Sequence, residues 1–196
     1  MKRFLFLCSL FLITISLSAQ NNVTKFLGIP VDGTKSAMIQ KLKEKGFTYN
    51  STYDWLEGEF NGYQVKISIV TENNKVWRIA LQDAYPKSET QIKIRFNTLC
   101  NQFEQNKKYL PAQDIQRLSE TENISYEITV HDKQYQAAFY QLGDINSTDL
   151  YAKSNEELEQ LSNNMVWFTI SKYEYGEYII VMFYDNLNNH ANGEDL

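Results

Sequence analysis

Cysteine and histidine are nearly absent from this sequence: its 196 residues include Cys8, Cys100, His131 and His190, and no others of either type. Two cysteines cannot build the disulfide framework on which small exported domains often rely, so the fold must rest on its core. Neither histidine has a second histidine or a cysteine at ligand spacing, which argues against a zinc site. His131 flanks a predicted turn and His190 falls in a polar tail. Neither is a setting for the buried, oriented imidazole of serine catalysis. Long apolar runs are just as scarce. The one that stands out, 4–17, is broken only by Cys8, Ser9, Thr14 and Ser16. It is shorter than the roughly 20 apolar residues a spanning helix needs.

That run follows Lys2-Arg3 and closes on Ser18-Ala19-Gln20, the basic start, apolar middle and small-residue end of a secretory signal. Residues 1–19 are therefore expected to be a signal peptide, cleaved after Ala19, although Leu17 stands where an alanine is usual. Cys8 lies too early in the run to serve as a lipoprotein cysteine. Cleavage leaves 177 residues, the size of one domain, with Cys100 as the remaining cysteine. Without Lys2 and Arg3, the 19 basic residues fall to 17 against 24 acidic ones, a formal charge of −7. An acidic surplus disfavours a nucleic-acid partner, which needs a clustered basic face. No later run reaches spanning length, so no integral membrane segment is expected after cleavage. The expected location is exported, periplasmic or secreted.

Two segments carry strong helix signals. In the first, Thr34 is the N-cap, and Met38, Ile39 and Leu42 line one face. Lys41, Lys43 and Lys45 crowd the end where the dipole favours cations. Gly46 at C′, with Phe47 and Leu42 as the apolar pair, completes a Schellman stop. In the second, Ser88 and Gln91 form a capping box ahead of Ile92, Phe96, Leu99, Cys100 and Phe103, which line one helical face. On that stripe Cys100 reads as a small buried hydrophobe rather than a nucleophile.

Strands follow each helix. Asn61-Gly62 is a strong type I′ hairpin signal and sets Phe60 opposite Tyr63, Gly58 opposite Val65, Leu56 opposite Ile67 and Glu57 opposite Lys66. A third strand over 76–83 is expected to keep Trp77, Ile79 and Leu81 on the same apolar face. In the second half, Tyr126, Ile128 and Val130 are expected to alternate on a strand that turns at Asp132-Lys133 and pairs with Tyr135, Ala137 and Phe139. A short helix is expected within an irregular insertion, opened by a capping box at 154–157 ahead of Leu158 and Leu161. Two closing strands, over 166–173 and 178–184, turn at Tyr175-Gly176. The fold class is therefore α+β, with helices on one face of antiparallel sheet. The expected divisions are a first α-β-β-β repeat over 20–86, a second over 87–185 with an insertion at 143–164, and a polar tail over 186–196. Whether the two repeats stack as separate layers or share one sheet stays open.

The run 26–34, the helix end Lys43-Glu44-Lys45-Gly46-Phe47 and the stretch Asn61-Gly62-Tyr63-Gln64-Val65 resemble a group of exported proteins from Gram-negative gut bacteria with no assigned activity. The doubled helix-then-meander order resembles, in topology alone, the beta-lactamase inhibitor protein family and envelope-assembly lipoproteins of related fold. That second likeness implies a binding module by analogy and carries no contact residue across.

No catalytic grouping is legible. Glu57 with Glu59, and Glu156 with Glu157, are explained by strand alternation and by a helix's first turn. Glu120 and Glu122 also lie close in sequence. A hydrolase could draw two acids from distant parts of the chain, so it stays the alternative reading, beside an envelope-assembly accessory. Asp144, Asn146, Asp185 and the asparagines near 188 lack the spacing of a calcium loop, and Gly28 and Gly33 make no phosphate loop. No catalytic, metal or cofactor residue is assigned. The feature that calls for explanation is apolar excess in the last two strands, where alternation nearly disappears. Such strands are either covered on both faces or present an aromatic surface. The candidate partner-binding residues are Trp167, Tyr178, Ile180, Met182 and Tyr184, with Trp55 on the first sheet face. The expected function is a non-enzymatic binding module for a protein or glycan partner.

Overall fold

The computed structural model of the chain describes residues 23–115, 117–143 and 161–191. The expected signal segment, the capping box at 154–157 and the residues beyond 191 lie outside the described ones, while 161 and 162, at the far end of the helix expected there, are helical.

Helix α1 (Lys35–Glu44) starts and stops where its flanking residues dictate. The Thr34 hydroxyl accepts from the Ala37 N–H, filling one orphan donor of the first turn. At the other end Gly46 takes φ +97°, donating to the Lys43 carbonyl while Phe47 donates to that of Leu42. Those two bonds are the Schellman pattern the sequence predicts. Leu42 and Phe47 then enter the core together. The Phe47 ring reaches across to strand β4 (Trp55–Phe60), where Gly58 makes room: a Cβ there would lie 2.6 Å from Phe47 Cδ1.

Helix α2 (Glu89–Gln105) opens with the expected box, Ser88 Oγ accepting from the Gln91 N–H and Gln91 Oε1 accepting from the Ser88 N–H. Ile92, Phe96, Leu99, Cys100 and Phe103 are all buried, as the i, i+4, i+7 spacing requires. Phe96 meets Phe168 edge-on at 5.2 Å between ring centres, and Phe103 lies 4.7 Å from both Tyr109 and Phe139. Burying each such ring contributes about 1.5–3 kcal/mol.

The chain is α+β, with an antiparallel sheet of nine strands among the described residues and helices alongside it. The strands are β3 (Thr48–Asn50), β4, β5 (Tyr63–Glu72), β6 (Lys75–Asp83), β7 (Lys87–Ser88), β8 (Tyr109–Pro111), β9 (Gln136–Gln141), β10 (Asn164–Glu174) and β11 (Glu177–Asn186). Their order is β3-β4-β5-β6-β11-β10-β9-β8, with the short β7 also on β11. One continuous sheet therefore joins both halves through β6 and β11, where Ile79 faces Tyr184 and Leu81 faces Met182. A separate two-stranded ribbon, β1 (Lys25–Phe26) with β2 (Ile29–Pro30), lies near the start. The Asn61-Gly62 turn has φ +52° and +76°, and it holds the four pairings expected of it, including Glu57 with Lys66.

Two expectations fail. Trp77 does not share a face with Ile79 and Leu81. A bulge in β6 sets Val70 opposite Arg78 and Thr71 opposite Val76, so Val76 is the buried residue and Trp77 is displaced from the alternation. The larger error is at 126–130, which forms helix α3 (Ile124–His131) instead of a strand. Asn123 Oδ1 accepts from the Tyr126 N–H, a cap that starts the helix, and Asp132 in the left-handed region ends it. The i, i+4 pair Ile124 and Ile128 turns to the core, while Tyr126 and Val130 are exposed. Strand β9 pairs instead with β8 and β10.

Candidate functional site

Successive side chains of a strand point to opposite faces, and β11 shows what that does to an apolar strand in mid-sheet. Tyr178, Ile180, Met182 and Tyr184 point to the side that carries α2 and are 1–4 % exposed. These four sequence candidates are core residues, not surface, which corrects the expectation built on them. Alternation is weak in the sequence because the other parity is apolar too: Val181 and Phe183 are half-buried on the opposite face. Trp167 and Trp55 stand on that opposite face, which is where the sequence candidates and the surface coincide.

The residues missed by sequence reasoning gather around Arg78. Its Nε donates to Asp185 Oδ1 at 2.6 Å and its Nη2 to Oδ2 at 2.7 Å. Trp167 Nε1 donates to Oδ2 as well, at 2.9 Å, so the buried carboxylate is held by three donors. The guanidinium lies 4.3 Å from the Trp77 ring centre, 4.6 Å from Phe183 and 5.5 Å from Trp167, all within reach of cation–π attraction. Trp167 and Phe183 stack at 4.2 Å. His190 stacks on Trp77 at 4.1 Å and meets Glu72 Oε2 through Nδ1 at 2.7 Å. The Ala191 N–H and that histidine hold the Glu72 carboxyl below its ordinary range. The signal that could have found this face is parity. On β10, Thr169 and Ser171 share a face with Trp167, a polar hint that β11 by itself does not offer.

Across the sheet, Trp167, Phe183, Ala80 and Ser68 are consecutive register partners. One strand further, next to the Leu56 and Ile67 pair, comes Trp55. At about 4.8 Å per strand, Phe183 and Trp55 stand roughly 14 Å apart over a floor of two small side chains. Trp55 is stacked on Tyr53 at 4.7 Å, donates to Glu57 Oε1 at 2.6 Å and has Lys66 Nζ 4.5 Å from its ring. The face is thus a trough between two aromatic walls, edged by the guanidinium of Arg78 and by Gln82 and Lys66.

Other candidate chemistry is dispersed. His131 is exposed at the end of α3, against Tyr126. Glu122 Oε1 accepts from Lys133 Nζ at 2.6 Å and from the Tyr135 hydroxyl at 2.7 Å, and Lys133 chiefly holds its carboxyl below the ordinary range. Among the described residues no three His, Cys, Asp or Glu side chains form a metal-binding group, and no helix is long and apolar enough to cross a membrane. Comparison with protein-family models, with curated proteins and with solved structures gives no match to this chain.

Proposed function

We propose that the chain is an exported binding module, periplasmic or secreted, that engages a protein or glycan partner through the sheet face around Trp167, Phe183 and Trp55. The observation that carries this reading is the trough itself. The Trp167 and Phe183 wall is held by the Arg78–Asp185 pair, the Trp55 wall by Tyr53, Glu57 and Lys66, and the floor is left low by Ala80 and Ser68. Flat rings fixed in place lose little entropy when they meet a ligand face, and they are enriched where binding energy concentrates. The opening of the sequence, with its basic start and apolar run, supports export. The doubling of a helix-then-meander plan, α1 with β4–β6 and α2 with β9–β11, supports an origin in two α-β-β-β repeats.

The test is capture of partners from native envelope extract by the mature chain, followed by the same capture with Ser68→Arg, which fills the floor from an exposed position, and with Trp167→Ala. Loss of the same captured species with both variants is the expected result, with the melting of Ser68→Arg close to that of the parent and Trp167→Ala still folded. Capture that survives both variants overturns the assignment of this face.

A further inference from the structure

On the other side of the sheet, at the end where β9 and β11 finish and β8 begins, lies a cleft of about 590 Å³. Its walls come from both halves of the chain: Lys25, Leu27 and Gly28 from the β1–β2 ribbon, Phe60 from β4, the last turn of α2, and the start of β8. Phe60, Phe103, Tyr109 and Tyr184 supply aromatic surface. That volume is ordinary for a small-molecule site.

The hydrogen-bonding capacity of the lining is one-sided. Asn106 Oδ1 accepts from the Lys108 N–H, which fixes the orientation of that amide and leaves its NH2 without a partner among the described residues. Gln102 Oε1 accepts from Asn61 Nδ2. Gln141 is fully used: its Oε1 takes the Lys25 N–H, and its NH2 reaches the Lys25 carbonyl and the Tyr109 hydroxyl. Tyr184, enclosed in the core, brings its hydroxyl to that same Tyr109 oxygen. Among the described residues the ammonium groups of Lys25 and Lys108 also lack an ion-pair partner and no carboxylate lines the cleft, in a chain of formal charge −5. Among the described residues of the lining, the groups without any partner are the two ammonium groups and the Asn106 NH2, all of them donors.

The lip is built under strain. Leu27 sits at φ +52°, in the left-handed region that a leucine seldom adopts, and it remains 39 % exposed at the cleft. The turn thus holds an apolar side chain over the opening.

From this donor-only lining over an aromatic floor, we propose that the cleft binds a small organic anion, a carboxylate or phosphate ester with an apolar body. Its charged end sits among Lys25, Lys108 and the Asn106 amide. Its body lies on Phe60 and Phe103 under Leu27. The site is separate from the sheet face proposed above, since Phe183 and Tyr184 are neighbours pointing opposite ways.

Calorimetric titration of the full chain with 4-phenylbutyrate, phenyl phosphate, inorganic phosphate and uncharged 4-phenylbutan-1-ol tests this. Binding of one or both organic anions, at least tenfold tighter than the alcohol and than inorganic phosphate, is expected, and the two organic probes distinguish carboxylate from phosphate ester. Lys25→Met and Lys108→Met should each weaken it about tenfold, the scale of one charge-assisted hydrogen bond. Asn106→Asp keeps the acceptor used by the backbone but replaces the free donor with a negative charge, and should weaken it at least as much. Lys172→Met, at an exposed cation on β10 opposite Tyr178, should leave it unchanged. The lysines could instead serve only to balance the negative end of α2. In that case neither organic anion binds better than the alcohol, and the proposal falls. It falls equally if inorganic phosphate binds as well as the organic anions, or if Lys172→Met weakens binding as much as Lys25→Met.

Discussion

Arg78 and Asp185 form a two-pronged ion pair across β6 and β11, the strands that join the two halves of the sheet. The carboxylate side chain is 4 % exposed and the guanidinium 23 %, so the pair is largely out of water. Removing one partner of such a pair leaves an uncompensated buried charge, whereas replacing both with apolar groups can be nearly neutral. Arg78→Met alone should therefore lower stability by about 2–3 kcal/mol, below the usual range for a fully buried pair because Arg78 keeps some water. The double variant with Asp185→Leu should recover most of that loss. Urea unfolding of the two singles and the double gives the coupling directly. A double variant less stable than either single would show that the pair contributes net stability.

Gly58 is predicted to be replaceable only together with Phe47. A Cβ at that position would lie 2.6 Å from Phe47 Cδ1, well inside van der Waals contact, and the ring is hemmed in by the core. Gly58→Ala should destabilise by about 1–3 kcal/mol, the scale of overpacking. Adding Phe47→Leu, which withdraws the ring, should make the Gly58→Ala change nearly neutral in that background. Thermal melting of the four proteins checks it, and an alanine tolerated equally in both backgrounds contradicts the close approach.

Local signals in the sequence carried far, and the reason is that they were redundant. The stop of α1 rests on Gly46, Phe47 and Leu42 together, and the Asn61-Gly62 register agrees with the apolar alternation on both sides of it. Tyr126, Ile128 and Val130 had only alternation, a pattern that a short helix with Ile124 and Ile128 on one face satisfies as well. The cap at Asn123 was the deciding signal and is a single residue. The candidate face suffered from a different ambiguity. Period 2 tells which residues of β11 share a side, but not which side is wet when both are apolar. The choice between Met182 and Phe183 was decided by α2, which covers one of them. Trp77 escaped because a bulge leaves no mark in a pattern of period 2.

Cys100 should be chemically silent in the native state. Burial among the apolar residues of α2 pushes its thiol up to about 11, so only about one part in ten thousand is thiolate at neutral pH, and the sulfur is enclosed. Iodoacetamide labelling near pH 7.5 should be negligible in buffer and complete in denaturant, as read by intact mass. Rapid native labelling would mean that α2 opens locally at low free-energy cost, since the thiolate forms only once the stripe is exposed.

The Glu122 clasp gives the fold one of its acid-sensitive points. Lys133 and then Tyr135 hold the Glu122 carboxyl below its ordinary value of 4.5, while Glu122 raises that of Lys133 above 10.5. A depressed carboxyl contributes stability above its unfolded pKa and loses it as pH falls through the lower folded value; a raised amine contributes below its unfolded pKa and loses it as pH rises through the higher folded one. The clasp is therefore at full strength between about pH 5 and pH 10 and fades on either side. Asp54 and Glu72 are also depressed, by Lys35 and by the Ala191 N–H respectively, so acid sensitivity alone does not single out Glu122. The comparison with Glu122→Gln does. That variant should melt at lower temperature than the parent at pH 7, and the gap should narrow as pH falls below 4.5, since protonation then favours the unfolded parent. A gap that persists undiminished at pH 3 would assign the loss to packing rather than to charge.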